Sequence, residues 1–287
     1  MTGEALAAST DALRAAGIED PRLDAEVLLA EATGWDRARL AANPEAEIPP
    51  PAARRFGEMV RRRLRHEPVA YILGRRGFRH LELAVDPRVL IPRPETEMLV
   101  ELALELRPDS VLDLGTGSGA IALAVAAELP GCTVTATDTS LGALEVARAN
   151  AERLGLADRV RLLEGSLPPG EGFDLVLANL PYVAEADWPS LQPEVTEWEP
   201  REALLAGPDG LDAIRALLTD RVRGYSRIAR ATTKSAAGAV AGRQAVALEV
   251  GEGQAGAVGE MLREAGYGSV EVRADLAGIE RVVIGRR

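Results

Sequence analysis

The stretch Asp113-Leu114-Gly115-Thr116-Gly117-Ser118-Gly119-Ala120 decides how the rest of the chain is read. Val111 to Leu114 is a short apolar run of strand type, and Ala120 to Leu129 has the make-up of a helix. The three glycines therefore fall on a strand-to-helix turn. Glycine permits a tight turn and close backbone approach to a ligand, and N–H groups at the start of a helix point at the ligand's polar atoms. Gly115, Gly117 and Ala120 also satisfy the G-x-G-x-x-A dinucleotide pattern, so this turn alone does not choose between adenosine-containing cofactors.

Working outward, the same alternation continues. Thr133 to Asp138 reads as strand and Leu141 to Leu154 as helix; Val160 to Glu164 and Phe173 to Ala178 read as strands. Leu211 to Val222 reads as helix, Ala245 to Val250 as strand and Ala255 to Ala265 as helix. Such alternation implies βαβ units and a doubly wound parallel sheet. Val270-Glu271-Val272 and Arg281-Val282-Val283-Ile284 stand too close together for a crossover helix, so they pair antiparallel. The expected result is an α/β fold with a mostly parallel seven-stranded sheet closed by one reversed strand, which by analogy resembles the class I methyltransferase fold. Residues 223–243 are small, polar and without clear period, and are left unassigned as a loop.

The first 80 residues look helical. Ala5, Leu6, Leu13 and Ala16 recur at helical spacing, and Pro21 to Ala32 starts on a favourable first-turn proline and stops before Gly34. After the Pro-rich break from Asn43 to Pro51, Ala52 to His66 reads as an Arg-rich helix. Val69 to Gly74 and Leu81 to Val85 flank Gly-Arg turns and suggest a hairpin. Arg88 to Glu97 reads as a structured linker, and Glu95 to Leu106 as a helix. The expected organisation is a small helical N-terminal domain over residues 1–68, a connecting β-hairpin and linker over 69–94, and a catalytic domain over 95–287.

Composition narrows the class. The chain has 287 residues, 47% of them apolar, and a net charge of −11, so it can bury a core and global disorder is excluded. One cysteine, Cys132, excludes an internal disulfide, and His66 and His80 alone do not make a metal cluster. No apolar run is long enough to span a membrane, and the start of the chain lacks the basic region of a secretory signal, so the expected address is cytoplasmic. The acidic balance argues against direct nucleic-acid binding. Arg54, Arg55, Arg61, Arg62, Arg63 and Arg65 nevertheless crowd one stretch, as either a solvated helical face or a partner surface.

Two further motifs address the chemistry. Asp138 ends the second strand of the alternating region. A carboxylate there accepts both hydroxyls of a ribose, which NAD and S-adenosylmethionine share. Asn179-Leu180-Pro181-Tyr182 follows the fourth strand and separates the two. Nicotinamide chemistry has no need of it, whereas it suits methyl transfer to a planar nitrogen. The Asn179 side-chain oxygen and the Leu180 carbonyl accept both hydrogens of an –NH2 group, and Tyr182 packs against the plane and excludes water.

With these residues in view, the chain resembles the peptide chain release factor N5-glutamine methyltransferases over nearly its whole length. Ile91-Pro92-Arg93-Pro94-Glu95-Thr96-Glu97 is similar to that family's linker, and Asp113 to Ala120 to its cofactor loop. Trp198-Glu199-Pro200 is similar to the segment after its Asn-Pro-Pro-Tyr motif. Leu248-Glu249-Val250-Gly251 and Asp275-Leu276-Ala277-Gly278 resemble its late strand and final hairpin. Leu180 stands where the family usually has proline. The third-strand loop, Gly165 to Pro168, lacks the family's acidic-aromatic pair, and residues 223–243 lack its Pro-Gly-Gly turn.

The resemblance implies an enzyme that uses S-adenosylmethionine to methylate the glutamine amide of the Gly-Gly-Gln motif in class I release factors, with no metal. The N-terminal domain would help to hold the release factor. The cofactor would be held by Asp113, Gly115, Thr116, Gly117, Ser118, Gly119, Asp138, Leu167 and Asn179. The acceptor would meet Asn179, Leu180, Pro181, Tyr182, Glu199 and Arg93, with Asn179 and Tyr182 catalytic. Two other readings stay open here: an adenine N6-methyltransferase acting on rRNA or DNA, because an exocyclic amine fits the same loop, and a protein that binds S-adenosylmethionine without catalysis.

Overall fold

The computed structural model describes residues 1–168, 171–221 and 244–287. Residues 223–243, unassigned from sequence, lie outside the described residues. The chain forms two compact units, one of Met1–Arg75 with Gln192–Trp198, the other of Arg76–Leu191 with Glu199–Arg287.

The first unit is helical. It contains α1 (Thr2–Ala15), α2 (Pro21–Thr33), α3 (Arg37–Ala42), α4 (Pro50–Arg63) and α5 (Val69–Leu73). Proline opens α2, and Gly34, at φ 70°, ends it in the left-handed conformation. Leu6, Leu13, Leu28, Leu29, Phe56 and Met59 form a common core. Half of the Arg-rich run is tied down. Arg63 is buried and pairs with Asp24 at 2.6 Å and Glu194 at 2.7 Å; Arg62 holds Glu67, and Arg55 and Arg75 share Glu31. The Trp198 indole N–H donates to the Arg65 carbonyl at 3.1 Å, so residues 192–198 are part of this unit in bonding as well as in packing.

The run Val69–Leu73, expected as a strand, is a helix. A five-residue apolar run has no period that separates the two states, and here Pro68 precedes its first turn while Gly74, at φ 72°, terminates it. The connecting hairpin forms just after it, from β1 (Arg75–Phe78) and β2 (Leu81–Ala84).

The second unit is the sheet. After the hairpin come α6 (Glu97–Leu106), β3 (Ser110–Leu114), α7 (Ala120–Glu128), β4 (Thr133–Asp138), α8 (Leu141–Arg153), β5 (Val160–Glu164) and β6 (Leu175–Ala178). The chain then runs through α9 (Pro193–Trp198, in the first unit), α10 (Asp212–Ala216), β7 (Ala245–Glu249), α11 (Ala255–Glu264), β8 (Ser269–Ala274) and β9 (Glu280–Arg286). The strand order is β5-β4-β3-β6-β7-β9-β8, and only β9 runs against its neighbours. The α-helix expected from Leu211 covers only Asp212–Ala216 before a wider turn over Leu217–Arg221.

Both faces of this sheet are covered. Ala245 and Ala247 of β7 join α6 and α7 in one core, and Val246 and Leu248 join α10 and α11 in the other. α7 is apolar all round because it is enclosed: every residue from Ala120 to Ala126 is buried. Strand order reverses beside β3, with β4 on one side and β6 on the other. In open α/β sheets a crevice forms at such a switch, at the carboxyl ends of the strands.

Candidate functional site

Strand register brings the chemistry to one level. Leu114 aligns with Thr137 and Ala178, Thr137 with Leu163, and Ala178 with Leu248. The next residue on each strand is therefore Gly115, Asp138, Glu164, Asn179 or Glu249. These five positions run along the edge where the parallel strands end.

The glycine turn is held from behind. The Gly115 and Thr116 N–H groups both donate to the Thr137 carbonyl at 2.9 Å. Asp113 is fully buried; one carboxylate oxygen accepts from the Thr116 hydroxyl at 2.5 Å and the Ala122 N–H at 3.1 Å, and the other has no partner among the described residues. Burial pushes this carboxyl up to about 7, against the pull of those two donors. Asn150, a buried residue of α8, donates to the Ser118 carbonyl at 2.9 Å and braces the turn from the other side. Gly119, at φ 87°, starts α7, and a Cβ there would meet Leu123 Cδ1 at 2.9 Å. Asp113, Thr116, Ser118 and Gly119 thus shape the turn, while Gly115 and Gly117 face a cavity.

That cavity has a volume of about 530 Å³, within the range of small-molecule sites. Asp138, Leu167, Asn179, Leu180 and Pro181 line it together with the two glycines. Gly115 has φ 73°, a left-handed backbone that favours glycine, and a Cβ built there would stand 3.2 Å from Leu180 Cδ2, close enough that the leucine would have to shift slightly. The Asp138 carboxylate accepts from the Gly117 N–H at 2.9 Å on one oxygen and from the Ser140 N–H at 2.8 Å on the other. Each oxygen keeps a further lone-pair position, enough for two vicinal hydroxyls.

Asn179 donates through Nδ2 to the Thr96 hydroxyl at 3.0 Å. Tyr182 is not among the residues lining the cavity. Its ring lies 3.2 Å from where a Gly251 Cβ would sit, its hydroxyl donates to Glu249 Oε1 at 3.4 Å, and its phenol is pushed well above its usual range, by burial first and Glu249 second. Glu249 is 2% exposed, and its Oε2 has no partner among the described residues. Burial raises its carboxyl to about 7. Arg93 and Glu199 form an ion pair, and Glu199 also accepts the Ile91 N–H at 3.0 Å, so this buried carboxylate anchors the linker.

Sequence reasoning did not single out Thr96 or Glu249 for the site, nor Asn150, nor the cavity wall formed by Val89, Leu90 and Glu202. Leu248-Glu249-Val250-Gly251 stood out only as a family-like string. Nothing local in it says that a carboxylate is buried beside Asn179.

Comparison with known proteins adds family to geometry. Residues 4–74 match the PrmC N-terminal domain, and residues 111–198 match a methyltransferase domain. The release factor glutamine methyltransferase of Moorella thermoacetica is 44% identical, over 99% of this chain and 98% of its own length. That of Rhodopirellula baltica is 42% identical, over 96% and 92%. The hMettl16 catalytic domain, solved in complex with a 3′UTR hairpin, shares the fold at 15% identity, with a TM-score of 0.51 and coverage of 71% of this chain and 74% of that one. With a glycine turn, a strand-end aspartate and an Asn-Leu-Pro-Tyr loop at one cavity, and relatives of this identity along nearly its whole length, the chain belongs to the release factor glutamine methyltransferase family.

Proposed function

We propose that this protein transfers a methyl group from S-adenosylmethionine to the side-chain amide nitrogen of the glutamine in the Gly-Gly-Gln motif of class I release factors. The observation that carries the reading is the meeting of Asp138, Gly115, Gly117 and Asn179 around one cavity. The donor set fits the cofactor: Asp138 has a free position on each oxygen for the ribose hydroxyls, the glycines admit close approach of a ligand, and Leu167 offers an apolar wall to a base. When bound, S-adenosylmethionine supplies an electrophilic methyl on a sulfonium.

The rest falls to the chain. An amide nitrogen is a poor nucleophile because its lone pair is delocalised, and it is too weak an acid for a side-chain base to deprotonate. The site must therefore work by positioning, which is worth about 7–11 kcal/mol when alignment is good. Asn179 Oδ1 and the Leu180 carbonyl accept the two amide hydrogens and aim the nitrogen. As positive charge develops there, the same oxygens present the negative ends of preorganised dipoles. Pro181 restricts Leu180 to an extended backbone, which preserves the carbonyl's direction although the usual proline is missing. The helical domain contributes recognition of the release factor. Its acceptor is a translation factor, which puts the reaction in the cytoplasm. No helix among the described residues is long and apolar enough to cross a membrane.

The test offers the purified protein S-adenosylmethionine with either a class I release factor or rRNA. Methylation of the glutamine alone is the expected result; methylation of adenine alone, or of neither, overturns the reading. In the same assay Asn179→Ala should lower kcat on the order of 10²–10³-fold, by analogy with loss of one oxyanion-hole donor.

A further inference from the structure

Buried Glu249 takes no part in the scheme above. It ends β7 one strand away from Asn179, at the same level of the sheet. Two hydroxyls favour its charged form, Tyr182 at 3.4 Å and Thr96, while one of its oxygens is buried without a partner among the described residues. Thr96 stands between the two residues, bonded to Asn179 and favouring the charged form of Glu249. It accepts a hydrogen from Asn179 Nδ2 at 3.0 Å, so its own single proton is left for another acceptor. An ionised carboxylate accepts and never donates.

We infer that Glu249 is a positioning residue for methyl transfer: through the Thr96 hydroxyl it dictates which end of the Asn179 amide faces the acceptor. The logic is one of direction. The Thr96 proton is committed to the Glu249 carboxylate, its lone pair then takes the Asn179 –NH2, and Asn179 Oδ1 is left for the glutamine amide. Reversing the Asn179 amide would set one –NH2 against another. This inference rests on the proposed acceptor only in naming what Oδ1 meets; the orientation of Asn179 itself does not depend on it.

The arrangement gives the site a pH dependence. Burial raises the Glu249 carboxyl to about 7, and Glu95, from the turn before α6, pushes in the same direction. The Thr96 and Tyr182 hydroxyls and Arg281 of β9 pull the other way. Below about 7 the protonated carboxyl can donate to Thr96, whose proton is then free to turn to Asn179 Oδ1, and the acceptor is lost.

Single-turnover methylation of a release factor tests the inference. Thr96→Val should slow transfer roughly 10- to 100-fold, Thr96→Ser should restore it, and calorimetry should find S-adenosylmethionine affinity unchanged in both. The wild-type rate should fall on the acid side of about 7, and Glu249→Gln should be slow and lack that limb. Independently of any acceptor, the ¹⁵N signal of the Asn179 side-chain amide should titrate near 7 in the wild type and stop doing so in Thr96→Val and in Glu249→Gln. Equal impairment of Thr96→Val and Thr96→Ser, or an amide signal that ignores both substitutions, overturns the inference. A wild type in which the amide signal titrates but no release factor is methylated would instead overturn the proposed function and leave the orientation device standing.

Discussion

In the helical unit, Glu31 lies between Arg55 and Arg75, and Glu194 between Arg63 and His66. At the ends of the sheet strands, Asp113 and Glu249 are surrounded by hydroxyls, backbone N–H groups and apolar packing, and neither forms an ion pair among the described residues. The guanidinium of Arg75 holds Glu31 below the usual carboxylate range. Burial opposes the same effect at Glu194, yet a backbone N–H, Arg63 and His66 together keep it low. Asp113 and Glu249 are both raised to about 7 by burial. The difference teaches where charge serves structure and where it is kept for chemistry. A carboxylate between arginines is fixed in one state, whereas one held by hydroxyls can change state near neutral pH and reorient its neighbours.

The sharpest way to break this comparison is at Arg63. Its guanidinium is buried between Asp24 and Glu194, and burial already pushes Asp24 up despite it. Arg63→Ala leaves half-buried Asp24 without its guanidinium and Glu194 with His66 alone, and should cost up to about 3 kcal/mol, the low end for a broken buried pair, read as a fall in the midpoint of thermal unfolding. A change within experimental error would mean that apolar packing, not pairing, holds this unit.

The second prediction concerns pH. Asp113 and Glu249 bind their protons more tightly in the folded chain than unfolded, so the stability they contribute is full below about 4 and is lost as pH rises through about 7. Glu31 and Glu194 behave oppositely, losing their contribution only as pH falls below the ordinary carboxylate range. Calorimetry between pH 5 and 7.5, given as approximate limits, isolates the first pair: stability should decline with rising pH, and Glu249→Gln should flatten part of that decline. A rise with pH across this window would contradict the contrast.

The smallest effect is expected on the surface of the helical unit. Arg54, Arg61 and Arg65 are exposed, unlike buried Arg63. Reversing their charge should raise KM for a full release factor by roughly tenfold or less, with cofactor affinity and folding unaltered. Kinetics identical to wild type would make them a solvated face.

What could be read from sequence, and what could not, follows from the range of the interactions. The turn from Asp113 to Ala120, Asp138 at a strand end and Asn179 after another are local patterns: glycine spacing, alternation, a polar residue where an apolar run stops. The parallel sheet and its reversed last strand follow from the same alternation and the short gap before β9, whereas the order of the strands across the sheet does not. The relation of Thr96 to Asn179 spans 83 residues and that of Tyr182 to Glu249 spans 67, so no window along the chain contains either pair. The six arginines around α4 look alike in sequence; only packing separates Arg63, enclosed between acids, from Arg61 in solvent. Val69–Leu73 was misread for a related reason, since five apolar residues carry too little period to tell helix from strand.

The return of residues 192–198 to the helical unit has a consequence for the order of synthesis. The first 75 residues carry the helices α1 to α5, but the segment carrying Glu194 and Trp198 follows roughly 120 residues later, on the order of ten seconds at usual rates of translation. Until then Arg63 has Asp24 but not Glu194, and the Arg65 carbonyl waits for its indole. Strands β3 to β6 have all emerged by that time. The unit that begins the chain is therefore completed only after four strands of the sheet have been made, and a nascent chain stalled before Gln192 would carry an unfinished helical cluster for chaperones to recognise.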